Sequence, residues 1–203
     1  MTLLTLVRHG ETDWNRDRRV QGSTDIALND TGRAQARDAA AVLREQLLVS
    51  SPGAPSVIVS SDLSRARETA EIIAMELDLA APALYPELRE RAYGDAEGLD
   101  ADEFIHRWGD WNTAEVPGAE PWPQLRERGL GALAAVVRDT RRATAPAVGT
   151  IIVVTHGALI RELIRHATGG ELPPPGIRLA NASAHPMRYE RDRLSLIAYA
   201  AAV

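Results

Sequence analysis

The chain has 203 residues, of which 45% are hydrophobic and 25% charged, with a formal net charge of −5. That length suits one α/β domain able to bury a sizeable core, and the mild negative charge offers no overall attraction to nucleic acid or to anionic membrane, so neither is expected as a partner. The chain has no cysteine, and every one of its 23 basic residues is arginine; this excludes disulfides, thiolate metal sites, cysteine nucleophiles, lysine-dependent phosphate loops and Schiff-base chemistry.

In chain order, Leu3-Leu4-Thr5-Leu6-Val7 is a short apolar run that reads as a buried parallel strand, and it delivers Arg8-His9-Gly10-Glu11-Thr12 to its carboxyl end, where open α/β sheets place their chemistry. A polar connection from Asp13 to Asp30 follows, too rich in charge to be core. Ala36, Ala39, Ala40, Leu43 and Leu47 then fall on one helical face, which predicts a helix from Gly32 to near Leu48. Ser50 to Pro55 is a turn cluster, Val57-Ile58-Val59 a second buried strand ending in Ser60-Ser61-Asp62, and Leu63, Ala66, Ala70, Ile73 and Leu77 the apolar stripe of the next helix.

Leu84-Tyr85 reads as a short extended piece before Leu88-Arg89-Glu90-Arg91. From Tyr93 to Pro123 the pattern loosens to one short helix, Ala101 to Trp108, and a tryptophan- and proline-containing loop; a lid over residues 95–124 is expected there. Trp108, Trp111 and Trp122 are expected to pack rather than to stack on substrate. Leu125 to Arg142 is helical, and Thr150-Ile151-Ile152-Val153-Val154 is a third buried strand delivering Thr155-His156-Gly157 to a helix that ends at Gly169-Gly170. Two extended segments, Ala184 to Tyr189 and Leu194 to Tyr199, joined through Arg191-Asp192, predict a hairpin at the sheet edge in the tail that runs from Asn181 to Ala200. No apolar run approaches the roughly 18 residues of a membrane span, and the amino terminus lacks a basic leader, so the expected location is the cytoplasm.

Two strands end in His-Gly, and Arg65 stands in the first turn of the helix after the Val57–Val59 strand. Adjacent parallel strands would bring His9, His156, Arg8 and Arg65 together, with the helix N-terminus after His156 adding backbone N–H groups. Such a pocket suits a compact dianion, and phosphate fits the planar fork of arginine. A neutral histidine among arginines can attack phosphorus while the cations stabilise the equatorial oxygens. The leaving oxygen needs a proton donor; Glu90 is the best-placed carboxyl, with Glu11 and Glu97 behind it. No His-x-x-x-His pair or acidic cluster points to a metal, and His106, His166 and His185 are expected to be structural or surface groups.

These stretches resemble the histidine phosphatase superfamily, the phosphoglycerate mutase-like group. Leu6 to Thr12 with Trp14-Asn15 and Gln21-Gly22 is similar to its opening motif, Ser61 to Ala66 with Thr69-Ala70 to its second, Leu88 to Arg91 with Gly94 and Glu97-Gly98 to its third, Val154 to Gly157 to its fourth, and Asn181-Ala182-Ser183 to a further patch. The resemblance implies a three-layer α/β/α fold over residues 1–203 with a mostly parallel sheet and an antiparallel edge strand. It further implies His9 as phosphorylated nucleophile, Arg8, Arg65 and His156 holding the phosphoryl group with Asn15, Gln21, Gly22 and the Gly157 backbone assisting, Glu90 as proton donor and then base for water, and no metal or cofactor. The superfamily holds both mutases and phosphatases. Ala158 after His156-Gly157, the short chain, and Pro117-Gly118-Ala119-Glu120 ahead of a helix bearing Arg128 favour a phosphomonoester phosphatase acting on a small phosphorylated metabolite. Phosphoglycerate mutase-type transfer is the alternative, and a non-catalytic phospho-ligand binding module is the third possibility. Homodimers are common in the superfamily, so one is possible here. Arg18, Arg19, Arg107 and Arg178 are candidates to read the rest of the substrate.

Overall fold

The computed structural model describes residues 1–199 apart from 51, 52, 112 and 148, and apart from the side chains of 49 and 50. Ser51 and Pro52 of the expected turn, and Ala200 at the end of the tail, lie outside the described residues. The chain runs β1 (Thr2–Arg8), α1 (Asp13–Arg16), α2 (Asp30–Ser50), β2 (Ser56–Ser60), α3 (Ser64–Glu76), β3 (Ala83–Leu84), α4 (Ala101–Trp108), α5 (Trp122–Thr144), β4 (Thr150–Thr155), α6 (Gly157–Ala167), β5 (Ala184–Glu190) and β6 (Arg193–Leu196), with 3₁₀ turns at Pro86–Leu88 and Gly94–Ala96.

The six strands form one sheet in the order β3-β2-β4-β1-β5-β6. The first four are parallel, while β5 runs antiparallel to β1 and β6 antiparallel to β5. Alternation along the central strands sends Leu4, Leu6, Ile151 and Val153 to a cluster under α5 and α6, and Val7, Ile58, Ile152 and Val154 to a cluster under α2 and α3. The result is the expected three-layer α/β/α sandwich. Register matters more than layer count for function. Arg8 pairs with Thr155 and Ser60 with Val154, so the carboxyl ends of β1, β4 and β2 finish level and side by side.

Several boundaries differ from expectation for local reasons. Helix α2 starts at Asp30, because the Asn29 side chain accepts the Gly32 N–H at 2.8 Å and its carbonyl accepts that of Arg33. Helix α5 begins at Trp122, since Pro123 in the first turn has no N–H to lose there. The hairpin turns at Arg191 and Asp192, both at positive φ (50° and 58°), as a two-residue turn requires; β6 stops at Leu196 rather than reaching Tyr199. The connection after β1 is less uniformly polar in role than in composition. It contains α1, closed by a Thr12–Asn15 capping box, and it buries Val20 and Leu28. The segment from Tyr93 to Pro123 has its own small core, in which Trp111 stacks on Phe104 at 3.7 Å with Val20, Ala96 and Val116 around them.

Directly after His9 the backbone passes against the first turn of α2. A methyl group at Gly10 would overlap the Gly32 carbonyl, and one at Gly32 the Glu11 carbonyl, so both positions exclude a side chain. Gly10→Ala is therefore expected to cost about 1–3 kcal/mol, lowering Tm by about 2–4 °C per kcal/mol for a chain of this size; thermal unfolding followed by circular dichroism checks it.

Candidate active site

The turn that carries His9 is tied on three sides. His9 donates its backbone N–H to the Thr155 carbonyl (2.9 Å), and its own carbonyl accepts from Ala182 N (3.2 Å) and Asn181 Nδ2 (3.1 Å). Gly10 N donates to Thr69 Oγ1 on α3 at 3.0 Å. The His9 ring is buried, with Nδ1 2.6 Å from the Gly10 carbonyl. A carbonyl can only accept, so Nδ1 carries the proton and Nε2 presents its lone pair. The His156 ring lies 5.2 Å from that of His9, centroid to centroid, and is fully buried at the start of α6.

Arg65, in the first turn of α3, is also fully buried. It donates Nη1 to the Thr24 carbonyl (2.8 Å) and Nη2 to that of Gly22 (2.7 Å). Gly22 adopts φ +57°, where a side chain would be strained and would collide with Glu97. Arg8 donates Nη1 to the Leu179 carbonyl, and its Nε lies 3.3 Å from where a Cβ on Gly157 would stand. Asn15 Oδ1 accepts from Thr12 N at 3.2 Å and from Asn181 Nδ2 at 3.1 Å. Glu90 places its carboxylate on the N-terminus of α6, accepting from Ala158 N (3.0 Å) and Leu159 N (3.1 Å).

The expected set thus converges: His9, His156, Arg8, Arg65, Gly22 and Gly157 share these contacts, and Glu90 meets the helix that begins at Gly157. Arg8 Nε, Arg65 Nε, Gln21 Oε1 and both ring nitrogens of His156 are buried with no hydrogen-bond partner in the protein. Leaving a buried polar group unpaired costs about 1–3 kcal/mol, so a cluster of four unpaired donors or ring nitrogens beside the His9 imidazole is a place for an outside group to satisfy.

The electrostatics have the same origin. Burial first, then the Arg65 and Arg8 cations, push the His9 imidazole well below its ordinary value; burial, Arg65, His9 and Arg8 do the same to His156. Burial pulls the Arg8 guanidinium down to about 10, against the opposing pull of Glu90. Both rings are therefore neutral at working pH, and the arginines remain charged.

Other candidates fall elsewhere. Glu97 accepts from the N–H groups of Ser23, Thr24 and Tyr93 and from the Ser23 and Thr24 hydroxyls, so it organises a loop. Glu11 accepts from Asn29 Nδ2 at 3.0 Å. Arg19 holds the Gly98 carbonyl and Arg107 pairs with Glu103. His106 and His166 are exposed, and His185 is buried in the sheet against Ser183 (2.9 Å). Trp122 lies under Arg91, 4.3 Å from its guanidinium. Among the described residues no group of three or more His, Asp or Glu side chains is placed to hold a metal ion, and no helix is long and apolar enough to cross a membrane.

Three contributions lay beyond sequence reasoning. Asp25 accepts from Ser64 N at 2.8 Å and so caps α3 from a distant loop. Thr155 Oγ1 holds the Leu88 carbonyl at 2.7 Å. Arg128 clamps the Glu90 loop, donating to the carbonyls of Glu87 (2.7 Å), Arg89 (2.9 Å) and Glu90 (3.3 Å) while forking onto Glu120. Only the last had a trace in the sequence, in the Pro117–Glu120 loop preceding Arg128.

Two neutral histidines and two buried arginines at the carboxyl ends of parallel strands make a cationic cup suited to a compact anion on an α/β sandwich. The profile of the histidine phosphatase superfamily (branch 1) matches residues 4–201, and the chain belongs to that family. It is 36% identical over 193 residues to the uncharacterized phosphatase PhoE of Bacillus subtilis strain 168, covering 95% of this chain and 91% of that one. It is 31% identical to the probable phosphoglycerate mutase GpmB of Escherichia fergusonii, covering 95% and 87%. Among solved structures, a mycobacterial glucosyl-3-phosphoglycerate phosphatase complexed with VO3 is similar, with a TM-score of 0.81, 29% identity and full coverage of both chains.

The depressed histidines also set the pH dependence of stability. His9, His156 and His185, the last pulled to about 4 by burial, bind protons less readily folded than unfolded. Unfolded histidine titrates near about 6.5, so their contribution is complete above that pH and is lost as pH falls below it. Between pH 6.5 and 5, the unfolding free energy from denaturant titration is expected to drop with a slope approaching about 1.4 kcal/mol per pH unit for each histidine; a flat profile would contradict the burial of neutral rings.

Proposed function

We propose that the chain is a metal-independent phosphomonoester phosphatase that works through a phosphohistidine on His9. The observation that carries this reading is the set of unpaired buried atoms, Arg8 Nε, Arg65 Nε and the His156 nitrogens, gathered around the imidazole whose Nε2 lone pair is free. A phosphoryl group supplies the acceptors those donors lack. His9 Nε2 attacks phosphorus, the P–O ester bond breaks as the N–P bond forms, and the cations stabilise the equatorial oxygens. Glu90, entering the reaction in its protonated form, gives the leaving oxygen its proton and is left as the carboxylate. The same carboxylate then takes a proton from water, which attacks the phosphohistidine and releases inorganic phosphate.

The leaving group has somewhere to sit. A cleft of about 490 Å³ opens beside Glu90, lined by Ser23, Pro86, Arg89, Ala92 and Gln124 among others. Water as acceptor is favoured over a retained product because the two arginines lining this cleft are already engaged: Arg89 forks onto Asp62 at 2.7 and 2.5 Å, and Arg128 onto Glu120 at 2.8 and 2.7 Å. Neither has charge to spare for holding a phosphorylated product in place during a second transfer. The likeness to a probable phosphoglycerate mutase keeps mutase-type transfer as the second reading.

Purified protein is expected to release phosphate from p-nitrophenyl phosphate, with a rate unchanged by chelators. Rapid quench should trap an acid-labile, base-stable phosphoenzyme that is missing in His9→Ala. Glu90→Gln should lower kcat by about 10²–10⁴, the range of a lost general acid–base. An inert wild type that still binds phosphate would support a binding module instead, and exchange of phosphate between 2- and 3-phosphoglycerate faster than its release would support a mutase.

A further inference from the structure

The turn Asn181-Ala182-Ser183, to which the reaction above gives no role, closes over the first motif from the far end of the chain. Two residues before it, Leu179 gives its carbonyl to Arg8 Nη1, and the Ser183 carbonyl accepts the Arg8 backbone N–H at 3.0 Å. Ala182 N donates to the His9 carbonyl at 3.2 Å, and Asn181 Nδ2 donates to the same oxygen at 3.1 Å. Ala182 is held at φ 58°, in the left-handed region that an L side chain enters only at a cost. Such backbone persists where its surroundings fix it.

Hydrogen-bond polarity then passes from the backbone through two side-chain amides. The His9 carbonyl can only accept, so the Asn181 atom beside it is the amide nitrogen, which has a second proton to give. That nitrogen lies 3.1 Å from the Asn15 side chain, whose facing atom must therefore be the oxygen. Thr12 N, a group that can only donate, meets the same oxygen at 3.2 Å and demands the same sense, with the buried Thr12 hydroxyl beside it at 3.2 Å. Three donors on Oδ1 leave the Asn15 amide one orientation. Its Nδ2 is the atom left over, and among the described residues no group accepts from it. The Asn15 side chain is thus two hydrogen bonds from the His9 backbone, with a spare donor, next to a cup whose arginines also lack acceptors.

We infer that Asn181 is a positioning residue: by bridging the His9 carbonyl and Asn15 Oδ1 it locks the Asn15 amide with Nδ2 outward, as a donor to an oxygen of the phosphoryl group in the cup. Asn181 itself touches no substrate. A half-turn of the Asn15 amide would set its NH2 against two donors and turn an oxygen toward the anion, so the bridge decides between attraction and repulsion. The inference rests on the phosphatase reading for its anion, yet an unreactive oxyanion tests it without turnover.

The experiment is a double-mutant cycle read by the Kd of orthovanadate in isothermal titration calorimetry, with p-nitrophenyl phosphate kinetics alongside. Asn181→Ala and Asn15→Ala are each expected to raise that Kd by about tenfold, the scale of one charge-assisted hydrogen bond. Asn181→Asp, equal in shape but presenting an acceptor where both neighbours accept, should raise it further. In the Asn15→Ala background, Asn181→Ala should cost less than about threefold, because the group it orients is gone and Ala182 N still holds the His9 carbonyl. A merely structural Asn181 would make the two single losses multiply, and that result overturns the inference. Wild-type vanadate affinity in Asn15→Ala, in Asn181→Ala or in Asn181→Asp overturns it as well. Should Asn181→Ala fail to fold, Asn181→Ser, polar but too short to span both acceptors, takes its place in the cycle under the same criterion. A wild type that binds vanadate without hydrolysing p-nitrophenyl phosphate overturns the phosphatase reading while the cycle still decides on Asn181; a wild type that does not bind vanadate overturns both.

Discussion

Two guanidinium groups held at the carboxyl ends of the sheet, with backbone carbonyls rather than carboxylates as their hydrogen-bond acceptors, are the constraint on which the rest depends. A cation taken out of water needs compensation, and a carboxylate in direct contact would have cancelled the charge that makes the site useful. The fold answers with oriented dipoles. Gly22 and Thr24 turn their carbonyls onto Arg65, and Leu179 turns its own onto Arg8. Those carbonyls must in turn be aimed, and Glu97 does this for the Gly22–Thr24 loop. Burial raises the Glu97 carboxyl, yet the bonds it accepts from Thr24, Ser23 and Tyr93 bring it below its ordinary range. A negative charge is thus kept one layer behind the cations, close enough to order the loop and too far to quench them.

Glu90 is held by the opposite logic. Its backbone is pinned by Arg128 and by Thr155 through the Leu88 carbonyl, while its carboxylate rests on amides at the start of α6, where the helix dipole favours negative charge. The side chain expected to move protons therefore sits on the helix that His156 begins. The Glu90 carboxylate and the His156 ring are both referenced to the start of α6, while the loop that carries Glu90 is held in place by Arg128.

The sequence disclosed the architecture well because buried parallel strands are nearly continuous apolar runs, and three such runs each end in reactive residues. His9, His156, Arg8 and Arg65 were legible for that reason: each stands within a few residues of a strand's carboxyl end. Glu90 was legible as a carboxyl outside any regular element between Arg89 and Arg91, and the motif strengthened it, but nothing in its neighbourhood announces an amide-bound carboxylate. Asp25 as a cap for α3, the Leu179 carbonyl on Arg8 and the Gly10–Gly32 approach were hidden, because backbone groups have no letter in a sequence and the contacts span many residues. Val20 and Leu28 were missed for a different reason. They are isolated apolar residues in a charged stretch, without a period to flag them. The tryptophans, expected to pack, do so around Phe104 and under Arg91.

The close pass of Gly10 over the first turn of α2 bears on how firmly the His9 imidazole is held. Here the peptide following His9 lies flush against another peptide, with no side chain between them to compress. That contact leaves the main chain behind the ring no slack, so the imidazole is backed by two abutting peptides rather than by a compressible side chain.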